Sequence, residues 1–394
     1  MGGWAADPGH ECPAALASGL LAAGESWTEA VEAAERALAS PVCRENPWCV
    51  SWALVTLVCA GELVAADEHS LALLESHPGD HVLLARACLA RCTGDLVTCS
   101  ALLDLVRHNG TVEIRSAVLY WTVELLVARD ELDAAGAVLL DDGLTGPLLL
   151  AAEAVVAMAA GRPRDALAGH LACGEALTAS GVLNPAVLPW RSSASRAALA
   201  CGDTEQALRL ALEEHTAAAR WGEPRALGRC LAAVAGASPP HGEDLLIYER
   251  AIRLLDMAHA RWELAEVLCD YGDRLTAHRK QAAAGEMYAR AAAVEIGDTV
   301  LRRRIDAATS GAAAREPVLT PVEAEVARLV CAGLNNREIA ARLAMATRTV
   351  ELHLTRVYRK LGLAGRRELR ATRWAWLHRE TLRTDREATG GGRG

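Results

Sequence analysis

Apolar positions recur at helical spacing through residues 14 to 308, and no stretch alternates like a half-buried strand. The same rhythm resumes further on, where Thr320-Pro321-Val322-Glu323 reads as a capping box with proline at the first helical position. Val322, Val326, Leu329 and Val330 form the apolar stripe of that helix, and Gly333 ends it. Asn335-Asn336-Arg337-Glu338 opens a second helix, with Ile339, Ala340 and Leu343 facing inward. After the turn Ala344-Met345-Ala346 a third helix runs from Thr347 to Leu361 and stops at Gly362. On it Val350, Leu354, Val357 and Leu361 fall on one buried face. Arg348, Glu351, Leu352, Thr355, Arg356, Arg359 and Lys360 occupy the opposite face. A fourth helix is expected from Arg366 to about Leu377, with Leu369 and Trp376 available for packing.

The long first part carries a recurring local pattern. A glycine, usually followed by an acidic residue, precedes a small residue inside an apolar helix. Gly24-Glu25 leads to Ala30, Gly61-Glu62 to Ala66, Gly94-Asp95 to Cys99, Gly161 to Ala166 and Gly202-Asp203 to Ala207. Arg129-Asp130 leading to Ala134 fits the frame without glycine, and weaker units fall near Leu246 and Ala283. The small residues are 36, 33, 35, 32 and 41 positions apart, a period that fits two antiparallel helices per repeat. Glycine ends the first helix in left-handed geometry, and Asp, Glu or Thr opens the second. The array loosely resembles tetratricopeptide repeats, with Leu, Ala or Trp at the expected aromatic positions. Such arrays present recognition surfaces, so a ligand or protein partner is expected here. Pro185 to Pro189 and Ser238-Pro239-Pro240 are read as connections inside the array.

Composition changes the picture in one respect. The 394 residues carry a net charge of −9, with 41 basic and 50 acidic groups. Residues 317 to 394 hold 15 basic and 8 acidic groups, so a basic end follows an acidic body. That is the layout of a nucleic-acid module joined to a part that avoids phosphate. Phe is absent and aromatics make up 4%, which favours close-packed helices of Ala, Leu and Val. The organisation expected is therefore an array over 1–308, a linker over 309–317, a DNA-binding domain over 318–380 and a disordered tail over 381–394.

Twelve cysteines contain no C-x-x-C pair, and Cys88 and Cys92, four apart, lack a partner pair at ligand spacing. Cys59, Cys88, Cys173, Cys201, Cys230 and Cys269 lie in helical runs, where cysteine acts as a small hydrophobe, so no metal and no cofactor is expected. No HExxH, nucleophile elbow or dinucleotide fingerprint occurs, which argues against an enzyme. The two lysines, Lys280 and Lys360, both follow arginine, so neither can belong to a Walker A loop. No signal peptide is read at the N-terminus, and the longest uncharged stretch, Asn46 to Gly61, is too short to span a bilayer. A cytoplasmic protein with no membrane contact is expected.

Leu319-Thr320-Pro321, Gly333-Leu334, Asn336-Arg337-Glu338-Ile339-Ala340, Arg348-Thr349-Val350-Glu351-Leu352-His353-Leu354 and Tyr358-Arg359-Lys360-Leu361-Gly362 resemble the LuxR-type DNA-binding domain. Pro189-Trp190-Arg191, Ala200-Cys201-Gly202-Asp203 and the run from Arg220 to Gly228 resemble the C-terminal half of the large ATP-binding LuxR-type regulators, without their ATPase module. The fold class implied is all-α: a tetratricopeptide-like helical array followed by a four-helix LuxR-type helix-turn-helix domain.

That resemblance places Glu351, Leu352 and Thr355 at base edges of double-stranded DNA. It leaves Asn336, Arg337, Thr347, Arg348, Thr349, His353, Arg356, Arg359 and Lys360 to hold phosphates or register. Glu338 and Arg366 look structural and are expected to pair with each other. Ala346 stands where such domains usually have Ser or Thr, so either Thr347 caps the third helix instead or that end is frayed. Trp374 or Trp376 would serve a homodimer contact. RNA polymerase as a partner and activation as the outcome are likewise implied by resemblance. Two rival readings are a helical scaffold whose terminal domain binds protein, and a sigma-factor-like promoter reader. Against the latter stand the Tyr358 to Gly362 ending and the lack of a basic, aromatic-rich segment upstream.

Overall fold

The structure, a computed structural model, describes residues 12–76, 79–106, 110–140, 143–294, 296–314, 319–361 and 363–371. Among these residues it is all helix. The chain separates into two compact units: Met1–His278 with Glu286–Ala307, and Arg279–Gly285 with Ala308–Gly394.

The first unit is a succession of helix pairs. They begin with α1 (Pro13–Ala23) and α2 (Trp27–Ala39), followed by the single turn α3 (Pro41–Arg44). Next come α4 (Pro47–Cys59) with α5 (Leu63–Ser76), and α6 (Asp80–Thr93) with α7 (Leu96–Leu105). The middle holds α8 (Val112–Ala128) with α9 (Leu132–Val138), and α10 (Pro147–Ala159) with α11 (Pro163–Ala179). Then follow α12 (Trp190–Ala200), α13 (Thr204–Trp221), α14 (Pro224–Ala237) and α15 (Glu243–Met257). The last are α16 (Arg261–Ala277), α17 (Gln281–Ala293) and α18 (Thr299–Ala314), of which residues 281–285 and 308–314 fall in the second unit.

The repeated glycines turn the chain as their spacing requires. Gly24, Gly61, Gly94, Gly161 and Gly202 all have positive φ, between 70° and 84°, where a side chain would be strained. Asp95 and Asp203 then cap the following helices, each accepting from an amide three residues on, at 3.0 and 2.9 Å. Ala30, Ala66, Cys99, Ala166 and Ala207 are buried where the paired helices meet.

The glycine-free unit is displaced by one residue from its expected frame. Asp130, not Arg129, takes the left-handed conformation (φ 68°), so Ala135 is buried and Ala134 exposed. Likewise Arg279 has φ 60° and Ala284 is buried, one place beyond Ala283. Leu246 is exposed on α15, which the chain enters through the longer Ser238–Gly242 loop. Cys201 is exposed at the end of α12 and so is not a core residue, unlike the other five cysteines of its group. Thr309 to Ala314, expected as linker, continue α18, because an alanine-rich stretch favours helix where nothing breaks it.

The array closes on itself. Trp221, fully buried, donates its indole N–H to the Cys59 carbonyl at 2.9 Å, 162 positions away. Arg220 pairs with Glu25, and the Leu183 amide donates to the Ala22 carbonyl at 2.8 Å. Repeats therefore touch repeats one turn away as well as their neighbours.

Ionic groups that are buried or largely covered join helices within this unit. Arg91 forks onto Glu124 at 2.7 and 2.9 Å, and Tyr120 donates to the same carboxylate at 2.7 Å. Arg225 and Arg229 face Glu263, while the Ser192 amide and hydroxyl donate to the buried Glu214. Burial alone would push the Glu263 carboxyl up. The guanidiniums of Arg225, Arg229 and Arg91 hold it below the usual carboxylate range instead.

Candidate nucleic-acid interface

The second unit contains α19 (Pro321–Cys331), α20 (Asn336–Arg342), α21 (Thr347–Leu361) and α22 (Arg366–Ala371). Both expected capping boxes form. The Thr320 hydroxyl accepts from the Glu323 amide at 3.3 Å, and the Glu323 carboxylate accepts from the Thr320 amide at 2.9 Å. Asn335 Oδ1 accepts from the Arg337 and Glu338 amides at 3.0 Å each, and Glu338 returns the bond to the Asn335 amide at 2.7 Å. These caps start α19 and α20 by satisfying two amides at the first and three at the second that would otherwise need water.

One core joins the helices. Val326, Ala327, Leu329 and Val330 of α19 meet Ile339 and Ala340 of α20, Val350, Leu354 and Val357 of α21, and Leu369 of α22. Each full burial of a Val, Leu or Ile contributes about 1.5–3 kcal/mol before entropy is counted. Val322, expected in the stripe, is exposed, and Ala327 takes the inward position instead. Leu343 and Leu361 are half-buried at the edge of this core.

The packing aims α21 outward along one edge. Arg348, Glu351, Leu352, Thr355, Arg356 and Arg359 are exposed, three and four residues apart around a continuous stripe. Leu352 is 55% exposed amid charged neighbours, an apolar side chain left for something outside the unit. The exposed Thr355 donates its hydroxyl to the Glu351 carbonyl at 2.9 Å, so the oxygen is left as an acceptor only. Thr347, Thr349 and His353 are half-buried at the flank of the stripe, and Arg337 is exposed at the start of α20.

Several residues make contacts that their spacing did not show. The Lys360 ammonium pairs with Glu323 at 2.5 Å, tying the end of α21 to the cap of α19. Lys360 and the Thr320 amide together hold the Glu323 carboxyl below its usual range. Arg366 does not take Glu338, whose carboxylate is spent on the capping box. It donates to Asn336 Oδ1 at 2.7 Å and to the Leu334 carbonyl, so Asn336 is held from behind. Thr347 is the first helical residue and not the cap. Ala346 stands at the cap, its carbonyl accepting from the Thr349 and Val350 amides at 2.9 and 3.2 Å, and it has no side-chain acceptor to offer. Ala344, in the turn between α20 and α21, has φ 51°, so the turn is left-handed without glycine. Trp374 and Trp376, read as dimer contacts, lie outside the described residues, as does the tail from 381.

Two capped helices, a tight turn and a third helix with a polar, basic, outward stripe define a helix-turn-helix module. Residues 317–372 match the family described as "Bacterial regulatory proteins, luxR family", so the C-terminal unit carries a luxR-family helix-turn-helix domain. An HTH-type transcriptional regulator of Mycobacterium bovis is 59% identical over 51 residues, 13% of this chain and 6% of that protein. The tetrathionate response regulatory protein of Salmonella typhimurium is 40% identical over 74 residues, 18% of this chain and 36% of that one. The C4-dicarboxylate transport transcriptional regulatory protein of Rhodobacter capsulatus is 49% identical over 55 residues, 14% and 28% of the respective lengths. The chain thus spans well under half the length of these relatives. Among solved structures, a chain of the APC/C hetero-tetramer Cut9-Hcn1 overlays 75% of this chain and 55% of its own length, at 13% identity and a TM-score of 0.48. No helix among the described residues is long and apolar enough to cross a membrane.

Proposed function

We propose that the protein is a sequence-specific DNA-binding transcriptional regulator, with α21 in the major groove and the helical array receiving a signal or partner. The observation that carries this reading is the exposed stripe Arg348, Glu351, Leu352, Thr355, Arg356 and Arg359 opposite a fully buried face. Glu351 accepts from a cytosine amino group, and Leu352 and the Thr355 methyl meet thymine methyls. Arg337, Arg348, Arg356 and Arg359 neutralise phosphates, while Thr347, Thr349 and His353 at the flank set register. Asn336, braced by Arg366, positions the start of α20 against the backbone. Homodimeric binding and activation through RNA polymerase extend the reading by likeness to luxR-family regulators.

Selection of bound sites from random duplexes by the full chain tests it. The expected result is an enriched motif, bound with affinity that falls steeply as salt rises. Leu352→Ala and Glu351→Gln should each shift preference at one base position, by about 1–3 kcal/mol of discrimination. Absent or salt-insensitive binding by the folded chain would favour the rival reading, in which this domain docks on protein.

A further inference from the structure

The start of the array brings Cys12 against Cys43 and Cys49, which follow it by 31 and 37 positions. Cys12 Sγ lies 3.8 Å from Cys43 Sγ and 3.6 Å from Cys49 Sγ, and all three sulfurs lie within 4.8 Å of one another. None of the three is in a disulfide, whose bonded sulfurs would be about 2.0 Å apart. We propose that Cys12, Cys43 and Cys49 form a binding site for a thiophilic divalent cation, zinc, at the N-terminal end of the array.

Geometry supports this first. A tetrahedral zinc with Zn–S bonds of about 2.3 Å spaces its sulfurs about 3.8 Å apart. The two pairs made by Cys12 already stand at that spacing, and the Cys43 and Cys49 sulfurs lie within 4.8 Å of each other, so closing on the ion needs at most about an ångström of side-chain movement. The surroundings support it second. Cys12 is the N-cap of α1, and Cys49 is the third residue of α4, after Pro47 at the first position. Cys43 occupies the same third place after Pro41 in the short turn α3. The N-terminal ends of α1 and α4, each carrying partial positive charge, therefore converge on the sulfurs.

Charge and access fit the same ion. Three thiols each release a proton on binding, and three thiolates with one divalent cation leave a single negative charge. The two helix ends, each equivalent to about half a positive charge, offset most of it. Cys43 and Cys49 are buried within the apolar cluster that includes Val50, Leu54 and Leu38, which excludes competing hard ligands. Cys12 is half-buried at its edge, which leaves an entry path and a fourth position for water or an outside ligand. The ion would staple the starts of α1, α3 and α4 together.

Cobalt titration of the reduced, metal-stripped full chain tests the site. The expected result is a thiolate-to-cobalt charge-transfer band in the near ultraviolet that saturates at one equivalent and is bleached by zinc. Cys12→Ser keeps a good helix cap and should keep the fold, checked by its helical circular dichroism, yet lose the saturable band. Cys49→Ser should lose it too, whereas Cys201→Ser, at an exposed position, should keep it. Zinc should raise the unfolding temperature of the wild type and not of Cys12→Ser. Absence of a one-equivalent band, or its survival in both Cys12→Ser and Cys49→Ser, overturns the proposal.

Discussion

In the helical array Arg225 lies buried against Glu263, and Arg91 and Arg229 lie largely covered against Glu124 and Glu263, whereas in the C-terminal unit Arg337, Arg348, Arg356 and Arg359 stand exposed. The same side chain serves two ends. Inside the array it is desolvated and locked by carboxylates, so it fixes how one turn of helices meets the next. On α21 it keeps its hydration and its freedom to exchange water for phosphate. The sign of a region's net charge does not distinguish these uses, since the array is acidic overall and still depends on arginine. What distinguishes them is whether a carboxylate from another helix reaches the guanidinium.

The largest effect expected from breaking this contrast lies inside the array. Glu263→Ala leaves Arg225 and Arg229 facing each other without their shared carboxylate, and should cost about 3–5 kcal/mol in urea unfolding. A loss under about 1 kcal/mol would mean that the network contributes little to the fold. DNA binding by α21 should survive if the C-terminal unit remains folded.

Next comes a pH effect that belongs to the array. His170 is 5% exposed, and burial pushes its pKa down to about 4 from an ordinary 6.5. The unfolded chain takes up that proton first, so stability is full above pH 6.5 and is lost as pH falls toward 4. The loss from this group is on the order of 3 kcal/mol. Comparing unfolding midpoints of wild type and His170→Leu across that window should show a shallower slope in the variant. Equal slopes would mean that the imidazole is not kept neutral by its surroundings.

On the other side of the comparison, Arg356→Ala should leave unfolding unchanged. It should weaken DNA binding about tenfold on all sequences alike and reduce the salt slope by about 1. A loss confined to one base would make Arg356 a base reader. The smallest effect sharpens the same interface. Ala346→Ser gives α21 the side-chain cap it lacks and should stabilise the C-terminal unit by about 1 kcal/mol in thermal unfolding. No gain would mean that the first turn of α21 is already satisfied by other partners.

Much of the C-terminal unit was legible because its signals are local. Capping boxes at Thr320 and Asn335, the stop at Gly333, and the spacing of Val350, Leu354 and Val357 each act within a few residues, and each appears in the structure as read. What was not legible there concerns partners thirty or more residues apart: that Lys360 pairs with Glu323, and that Arg366 bonds Asn336 and Leu334 instead of Glu338. In the array the glycine turns were readable for the same local reason. At Asp130 no glycine marked the turn, and the frame slipped by one residue. The run from Arg220 to Gly228 stood out by resemblance alone. Its place is explained by Arg225 and Trp221, which reach Glu263 and the Cys59 carbonyl.

The amino-acid sequence by itself determined the helices, their caps, the two-part charge layout and the outward stripe of α21, since these follow from hydrogen bonds and apolar spacing within a turn or two. The tertiary structure alone decided which charges are buried, that the array closes back on its first repeats, and that Cys12, Cys43 and Cys49 share one place. The physical reason is distance along the chain. A cap finds its partner three residues away, but a guanidinium or a thiol finds its partner wherever the helices happen to pack, and only the packed helices fix that.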